Sequence, residues 1–198
     1  MPLMIVMMAL TLLTGLGTVL VLGTMTETAV AAGYRQGIET FYAADAAVEF
    51  AIRDLAARSD WDQVLSGAEI SAFIDGPAGG TRQVGVTVVD LARATAEVDA
   101  MLAARATPPA ASAQLYAYGR FDGLLPPAAA RSPIYVCVWV AELAPDEEAE
   151  VPAVRLLYVA GRAYGPTGGR RDVLVTVARR LDAAEVAPLE VRRWEEPQ

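Results

Sequence analysis

The first 26 residues of the chain, Met1 to Thr26, carry no charged side chain. A run of roughly 20 apolar residues is enough for an α-helix to cross a bilayer core of about 30 Å. At about 1.5 Å per residue, 25 helical residues extend about 38 Å, which leaves room for a tilted span. The run therefore predicts a transmembrane helix over residues 1–26.

A secretory signal peptide is the alternative interpretation of this run. Such peptides place a basic segment before a short apolar core and a small-residue cleavage site after it. Here no Lys or Arg precedes the run, and the nearest match to a cleavage site, Ala29-Val30-Ala31, lies within a continuing helical pattern. A retained helix fits better. The missing basic flank leads us to expect either that a charged leader has been removed or that translation starts upstream of Met1.

A second helical pattern follows directly and occupies Glu27 to Arg58. Large apolar residues recur there at spacings of four and three, which places them on one face of a helix. At the α-helical rise, these 32 residues extend about 48 Å. This apolar stripe along one face of the helix is expected to be buried, either against the C-terminal domain or against similar helices of neighbouring copies. Its members are Tyr34, Ile38, Phe41, Val48, Ile52 and Leu55, with Asp45 as the single polar residue.

Strand patterns dominate the rest of the chain. Leu91–Arg105 is interpreted as a short helix or an excursion loop. The last three strand candidates lie roughly 20 residues apart with no helical pattern between them, so an antiparallel meander is predicted, because parallel pairing needs long crossovers. β-branched or alternating runs predict strands over Gln83–Asp90, Gln114–Phe121, Ile134–Leu143, Val154–Tyr164 and Asp172–Leu181.

These patterns together predict an α+β fold. Residues 1–26 form the transmembrane half of a long N-terminal helix, and residues 27–58 form its amphipathic half. Residues 59–198 form a C-terminal globular domain with a small antiparallel β-sheet, on which the helix packs.

Composition excludes several classes of function. The net charge of −8 argues against nucleic acid as a partner, because phosphate binding needs a basic surface. The chain has no histidine and a single cysteine, Cys137. An internal disulfide, a His/Cys zinc site and a His-dependent catalytic triad are therefore all ruled out. We expect no enzymatic activity, no catalytic residues, no cofactor and no metal site.

Several weaker patterns have a structural interpretation. The acidic tract Asp146–Glu150 lacks EF-hand spacing and is typical of a solvated hairpin loop rather than a cation site. No Lys-Ser/Thr follows the glycine-rich stretch Gly76–Gly80, which argues against a phosphate-binding loop. Cys137 lies on an apolar strand and is expected to be a small buried residue. Trp61 and Trp139 are expected to pack in the core rather than to form a ligand platform.

The order of motifs at the N-terminus resembles a known family. After the uncharged run come Thr26-Glu27-Thr28, then Ala32-Gly33-Tyr34-Arg35, then an aromatic pair followed by Ala43-Ala44-Asp45-Ala46-Ala47. Over about the first 55 residues this arrangement resembles PilX-type minor pilins of type IV pilus systems. The chain departs from the family pattern in lacking an Asn between Gly and Tyr, in carrying Asp45 where Glu is usual, and in carrying Ala47 where Gly is usual.

This resemblance implies a pilin-like architecture and a role in filament assembly. It implies removal of a leader by a membrane peptidase, storage as a single-pass inner-membrane protein with a periplasmic C-terminal domain, and an extracellular location once a pilus is assembled. The implied partners are other pilin or minor pilin subunits and the inner-membrane assembly platform. The implied packing residues are Ile5 and the stripe from Tyr34 to Leu55.

One departure concerns the start of the helix. Major pilins carry a glutamate shortly after the mature N-terminus, whereas this chain has Met4-Ile5-Val6. The absence of that carboxylate suits a subunit at the tip or in a priming position. The resulting hypothesis is a minor pilin or pseudopilin that helps initiate, cap or modify a type IV pilus-like filament, with the filament system left open. The alternative is a membrane-anchored periplasmic binding domain whose helix is only a tether.

Overall fold

The computed structural model describes residues 2–105, 111–126, 131–143, 154–180 and 189–197. A long helix, α1 (Pro2–Ala56), begins the chain. The chain divides into two compact units, Met1–Ile38 and Glu39–Gln198. The first unit consists of helix throughout its described residues, and the second contains the remaining secondary structure.

The second unit is built around a five-stranded antiparallel sheet in which neighbouring strands are consecutive along the chain. This arrangement confirms the predicted α+β fold and the predicted meander. In chain order the elements are α2 (Trp61–Leu65), β1 (Thr81–Val84), β2 (Thr87–Asp90), α3 (Leu91–Ala103), β3 (Gln114–Arg120), a 3-10 turn (Phe121–Leu124), β4 (Tyr135–Leu143), β5 (Val154–Tyr164), β6 (Arg170–Arg180) and β7 (Glu190–Glu195). Strands β3 to β7 form the sheet, and β1 and β2 form a separate hairpin.

The sheet is covered on both faces, and strand β4 shows how. Val136 and Val138 pack in the core that includes the buried residues of α1. Cys137 and Trp139 pack in a second core that includes α3 and the β1–β2 hairpin. Successive side chains of a strand point to opposite faces, so a strand buried on both sides reads as an almost continuous apolar run. This explains why Ile134–Leu143 shows no polar alternation.

The prediction of one strand over Gln83–Asp90 is wrong, because the chain reverses direction at Gly85. This glycine has a φ of +59°, in the left-handed region that side chains with a Cβ rarely adopt. The turn also packs closely on the β5–β6 connection, where a Cβ at position 85 would lie 2.3 Å from the carbonyl oxygen of Pro166. The following segment, left open between helix and loop, is helix α3. Its first turn is capped by Asp90, whose side chain accepts a hydrogen bond from the Arg93 backbone N–H at 3.0 Å.

Sequence patterns missed α2 and β7. Helix α2 has only five residues and begins after Asp60, whose side chain accepts a hydrogen bond from the Asp62 backbone N–H. Strand β7 reads EVRRWE, with charges at most positions, and it pairs with β6 through a register shift at Thr176/Val177. Charged residues and bulges are usual at the edge of a sheet, but they conceal the alternation that identifies a strand. The acidic tract 146–150 lies outside the described residues.

Two predictions about single residues are confirmed. Trp61 and Trp139 are 2% and 0% exposed and belong to the two cores on opposite faces of the sheet. Cys137 is also fully buried, and this burial raises the pKa of its thiol well above the usual range. The glycine-rich loop is held by protein groups: Arg82 donates to the Asp75 carboxylate at 3.0 Å, and the Tyr118 hydroxyl donates to the Gly76 carbonyl at 2.6 Å.

Candidate assembly helix

The N-terminal unit presents an unbroken apolar surface. Every described residue from Pro2 to Arg35 is exposed, including the large apolar side chains from Leu3 to Met25. In the described part of the chain, α1 is the one helix long and apolar enough to cross a membrane. Exposed apolar area costs roughly 25 cal/mol per Å² in water, so a surface of this extent calls for lipid or protein around it. The segment is therefore a candidate membrane anchor.

Threonines within α1 satisfy their hydroxyl groups inside the helix. Each of six hydroxyls donates to a backbone carbonyl three or four residues earlier, at 2.8–2.9 Å. Because no hydroxyl then needs an external partner, these residues are compatible with an apolar environment. They are Thr11, Thr14, Thr18, Thr24, Thr26 and Thr28.

The buried face of α1 in the second unit is made mainly of small residues. Val48 and Leu55 are the two residues that this buried face shares with the stripe predicted from sequence. Neighbouring residues are about 100° apart on a helix with 3.6 residues per turn, so the two faces overlap only at one margin. The buried residues are Thr40, Ala43, Ala44, Ala47, Val48, Ala51 and Leu55.

Gly161 of β5 is what lets this alanine face approach the sheet. A Cβ at position 161 would lie 2.3 Å from Cγ2 of Val48 and 3.1 Å from the backbone oxygen of Ala44. Glycine within a strand often marks such a close backbone approach. The sequence signal was therefore present, as the alanine-rich stretch 43–51 in the helix and a glycine inside an otherwise apolar strand.

The structure divides the predicted packing residues into three groups. Ile5, Tyr34 and Ile38 are 69%, 72% and 38% exposed. Val48 and Leu55 are fully buried in the core beneath α1. Phe41 and Ile52 are partly buried against that core, and Asp45 is partly buried. Only the first group lies on surface that another subunit can reach directly, and the role of these residues in assembly stays a prediction.

Asp45 accounts for the polar interruption of the stripe. The side chain of Trp194 in β7 lies close enough to act on its carboxylate, a proximity that sequence reasoning did not find. Burial, followed by the negative charge of Glu49, raises the pKa of Asp45, and the side chain of Trp194 opposes that rise. Asp45 therefore lies where α1 packs against β7, the edge strand of the sheet.

The C-terminal end of α1 is held by side chains from the domain. The Trp61 indole N–H donates to the Leu55 carbonyl in the last turn of α1 at 3.2 Å. Arg179 donates to the carbonyl of Arg58, two residues beyond the end of the helix, at 2.7 Å. Terminal carbonyls of a helix lack intrahelical partners and carry partial negative charge, so an N–H donor and a cation both stabilise them. In addition, the Tyr116 hydroxyl of β3 donates to the Asp54 carboxylate at 2.7 Å.

Comparisons with known proteins agree with the resemblance of the N-terminal region. Residues 1–49 match the protein-family model PilX N-terminal. No curated protein and no solved structure matches the chain. Within the described ranges, no group of three or more Asp, Glu, His or Cys side chains is arranged to hold a metal ion. In its first 49 residues the chain is thus similar to the PilX-type minor pilins of type IV pilus systems, as its sequence predicts.

Proposed function

We propose that the chain is a minor pilin or pseudopilin that helps initiate, cap or modify a type IV pilus-like filament. The observation that carries this proposal is helix α1, which continues from an exposed apolar stretch into an alanine face buried on the sheet. A tether needs only the membrane-spanning stretch. The PilX N-terminal match over residues 1–49 covers both parts of the helix and supports an assembly role.

In this proposal α1 has two environments in turn. The apolar stretch is held in the inner membrane while the domain lies in the periplasm, and on assembly the same surface packs against helices of other pilus subunits. Ile5, Tyr34 and Ile38 supply exposed contacts along it. The role is structural, so we propose neither catalysis nor a cofactor for it.

The proposed position in the filament is the tip or the priming complex. Residues Met4-Ile5-Val6 offer no carboxylate to neutralise a neighbouring terminal amine, so a subunit ahead of this one would lack its charge partner. Ile5→Glu supplies that group. We expect the variant to appear along the filament shaft while the native protein stays at one end, as measured by immunogold labelling. Even labelling of the native protein along filaments would refute the tip position.

A helix exchange separates a pilus subunit from a tethered domain. Residues 1–26 are replaced by an unrelated single membrane helix, and both membrane insertion and incorporation into sheared filaments are measured. We expect insertion to persist and incorporation to be lost. Full function with the exchanged helix would instead support the membrane-anchored binding domain.

Point variants refine the same test. Tyr34→Ala and Ile38→Ala truncate exposed apolar residues of the stripe, and Arg53→Ala is the matched control because the Arg53 side chain is 75% exposed on the same helix. We expect the first two variants to reduce incorporation and the control to leave it unchanged. Equal incorporation of all three variants into filaments would show that Tyr34 and Ile38 are not part of the assembly surface.

A further inference from the structure

Strand β7, at one edge of the sheet, presents both of its large apolar side chains on the sheet face that carries α1. Val191 lies opposite Val177 and Trp194 lies opposite Val175, and these two valines of β6 belong to the core beneath α1. In a regular strand, residues three positions apart would point to opposite faces. The register shift at Thr176/Val177 leaves one extra residue in β7, so the two side chains share one face.

Helix α1 leaves this apolar pair half-exposed. Val191 is 45% exposed and Trp194 is 41% exposed. Trp194 lies close enough to Asp45 of α1 to act on its carboxylate. Phe41 and Ile52 lie four residues before and seven residues after Asp45, on the same side of the helix, and are partly buried. These five residues form one surface where the helix and the edge strand meet, which we call the α1–β7 surface.

Asp45 places a carboxylate in the α1–β7 surface without a positive partner. Within the described ranges, the charged group that acts on it is the carboxylate of Glu49, and Arg53 pairs with Glu49 instead, at 4.0 Å. A carboxylate that is partly buried loses hydration and is normally paired with a cation. A cation from a second molecule would therefore bind Asp45 favourably.

The first unit of the chain exposes a segment with the complementary chemistry. Tyr34 and Ile38 are 72% and 38% exposed, and their spacing of four places them about 6 Å apart along the helix. Val191 and Trp194 lie opposite residues two apart on β6, which separates them by about 7 Å along the strand. The two apolar pairs therefore match in spacing. Arg35 is exposed beside Tyr34, and a guanidinium has enough N–H donors to bind two carboxylates at once.

The edge of β7 is poorly suited to pairing with a second strand. In an antiparallel pair of two β7 strands centred between residues 192 and 193, Glu190 would face Glu195 and Arg192 would face Arg193. Like charges directly opposite each other destabilise a strand pair, and charges and bulges protect sheet edges. Contact through the side chains of the α1–β7 surface is therefore favoured over extension of the sheet.

The two complementary surfaces belong to the same chain, which favours a second copy as the occupant. We propose that the α1–β7 surface of one copy binds the segment Tyr34–Ile38 of a second copy. Arg35 of that segment binds Asp45, and its two apolar side chains pack on the apolar pair of β7. The contact joins two different surfaces, so it arranges copies head to tail. A short row of copies fits the proposed priming complex, but the contact itself does not depend on a role in pili.

Charge reversal tests the polar contact in the purified full chain. Self-association in neutral detergent at low salt is measured by sedimentation velocity. We expect Arg35→Asp and Asp45→Arg each to weaken it about tenfold or more, because each loses a charge-assisted hydrogen bond and brings like charges together. The double variant Arg35→Asp/Asp45→Arg should recover most of the native affinity. Arg120→Asp on β3 is the matched control, since this side chain is 61% exposed at the opposite edge of the sheet.

Cross-linking tests the apolar contact at exposed positions where folding is little affected. Cys137 is fully buried, so engineered cysteines supply the accessible thiols. One tagged chain carries Ile38→Cys, a second chain with a different tag carries Val191→Cys, and a short bis-maleimide joins them. We expect mixed dimers from this pair and only background from the control pair, Ile38→Cys with Arg120→Cys.

Several results would overturn the contact with a second copy. They are a native chain that stays monomeric in detergent, a double charge variant that associates no better than the single variants, and equal yields from the two cross-linking pairs. Cross-linking of Val191→Cys to a different subunit in sheared filaments, together with a monomeric purified chain, would assign the α1–β7 surface to that subunit instead.

Discussion

Replacing Gly161 with alanine tests whether the alanine face of α1 sets its distance from the sheet. The new Cβ would lie 2.3 Å from Cγ2 of Val48, whereas carbon atoms in contact are separated by about 3.5–4.0 Å. Either α1 moves away by more than about 1 Å or the Val48 side chain leaves its rotamer. Overpacking of this kind costs about 1–3 kcal/mol. That exceeds the roughly 0.5–1 kcal/mol that alanine would otherwise gain over glycine inside a strand.

The free energy of unfolding is the quantity to measure. All three tryptophans, Trp61, Trp139 and Trp194, lie in the second unit, so their fluorescence in a urea titration reports on that unit. For a domain of this size, each kcal/mol corresponds to about 2–4 °C in Tm. We therefore expect Gly161→Ala to lower both the urea midpoint and Tm.

A double-mutant cycle identifies the cause. Val48→Ala removes the methyl groups that clash with the new Cβ, so Gly161→Ala should cost about 0.5–3 kcal/mol less in the Val48→Ala background than in the native chain. Gly169→Ala is the matched control, because nothing lies within 4 Å of a Cβ built there. Additive effects at positions 48 and 161, or a native midpoint for Gly161→Ala, would refute the close-approach argument.

Three further predictions concern polar contacts. Arg162→Met removes both hydrogen bonds from the Asp172 carboxylate, whose remaining cation is Arg170 at 3.9 Å, and should cost about 1.5–3 kcal/mol of unfolding free energy; a native urea midpoint would contradict this. Trp61→Phe keeps an aromatic ring but loses the five-membered ring of the indole and its hydrogen bond to the Leu55 carbonyl. The lost hydrogen bond alone should cost about 0.5–1.5 kcal/mol, measured by thermal unfolding, and an unchanged Tm would count against the capping role. Asp45→Asn should stabilise the protein near pH 7, because a raised native pKa means that the ionised form destabilises the fold. The stabilisation by Asp45→Asn should shrink as the pH falls towards the unfolded-state pKa near 3.8. Urea midpoints of both proteins at several pH values measure it. A stabilisation that grows on acidification would contradict the raised pKa of Asp45.

Local patterns in the sequence were sufficient for the elements whose periodicity is strong. The uncharged run predicts the long helix because length and composition alone decide whether a helix can span a bilayer. Val154–Tyr164 matches β5 at both ends, because turn residues bound an apolar run there. The exposed positions of Ile5 and Tyr34 also agree with surface available for packing, although their contacts in a filament are set by other subunits.

The tertiary structure alone decided which face of α1 is buried. Periodicity gives weight to large apolar residues and therefore selects the stripe from Tyr34 to Leu55, whereas the distance between helix and sheet depends on how small the facing side chains are. Ala44 and Gly161 are 117 positions apart in the sequence, so their complementarity is invisible to any local pattern. The proximity of Asp45 and Trp194 is non-local in the same way. The sequence by itself determined that a long apolar helix and a meander sheet form. Only packing between distant segments determined which face of the second half of α1 lies on the sheet.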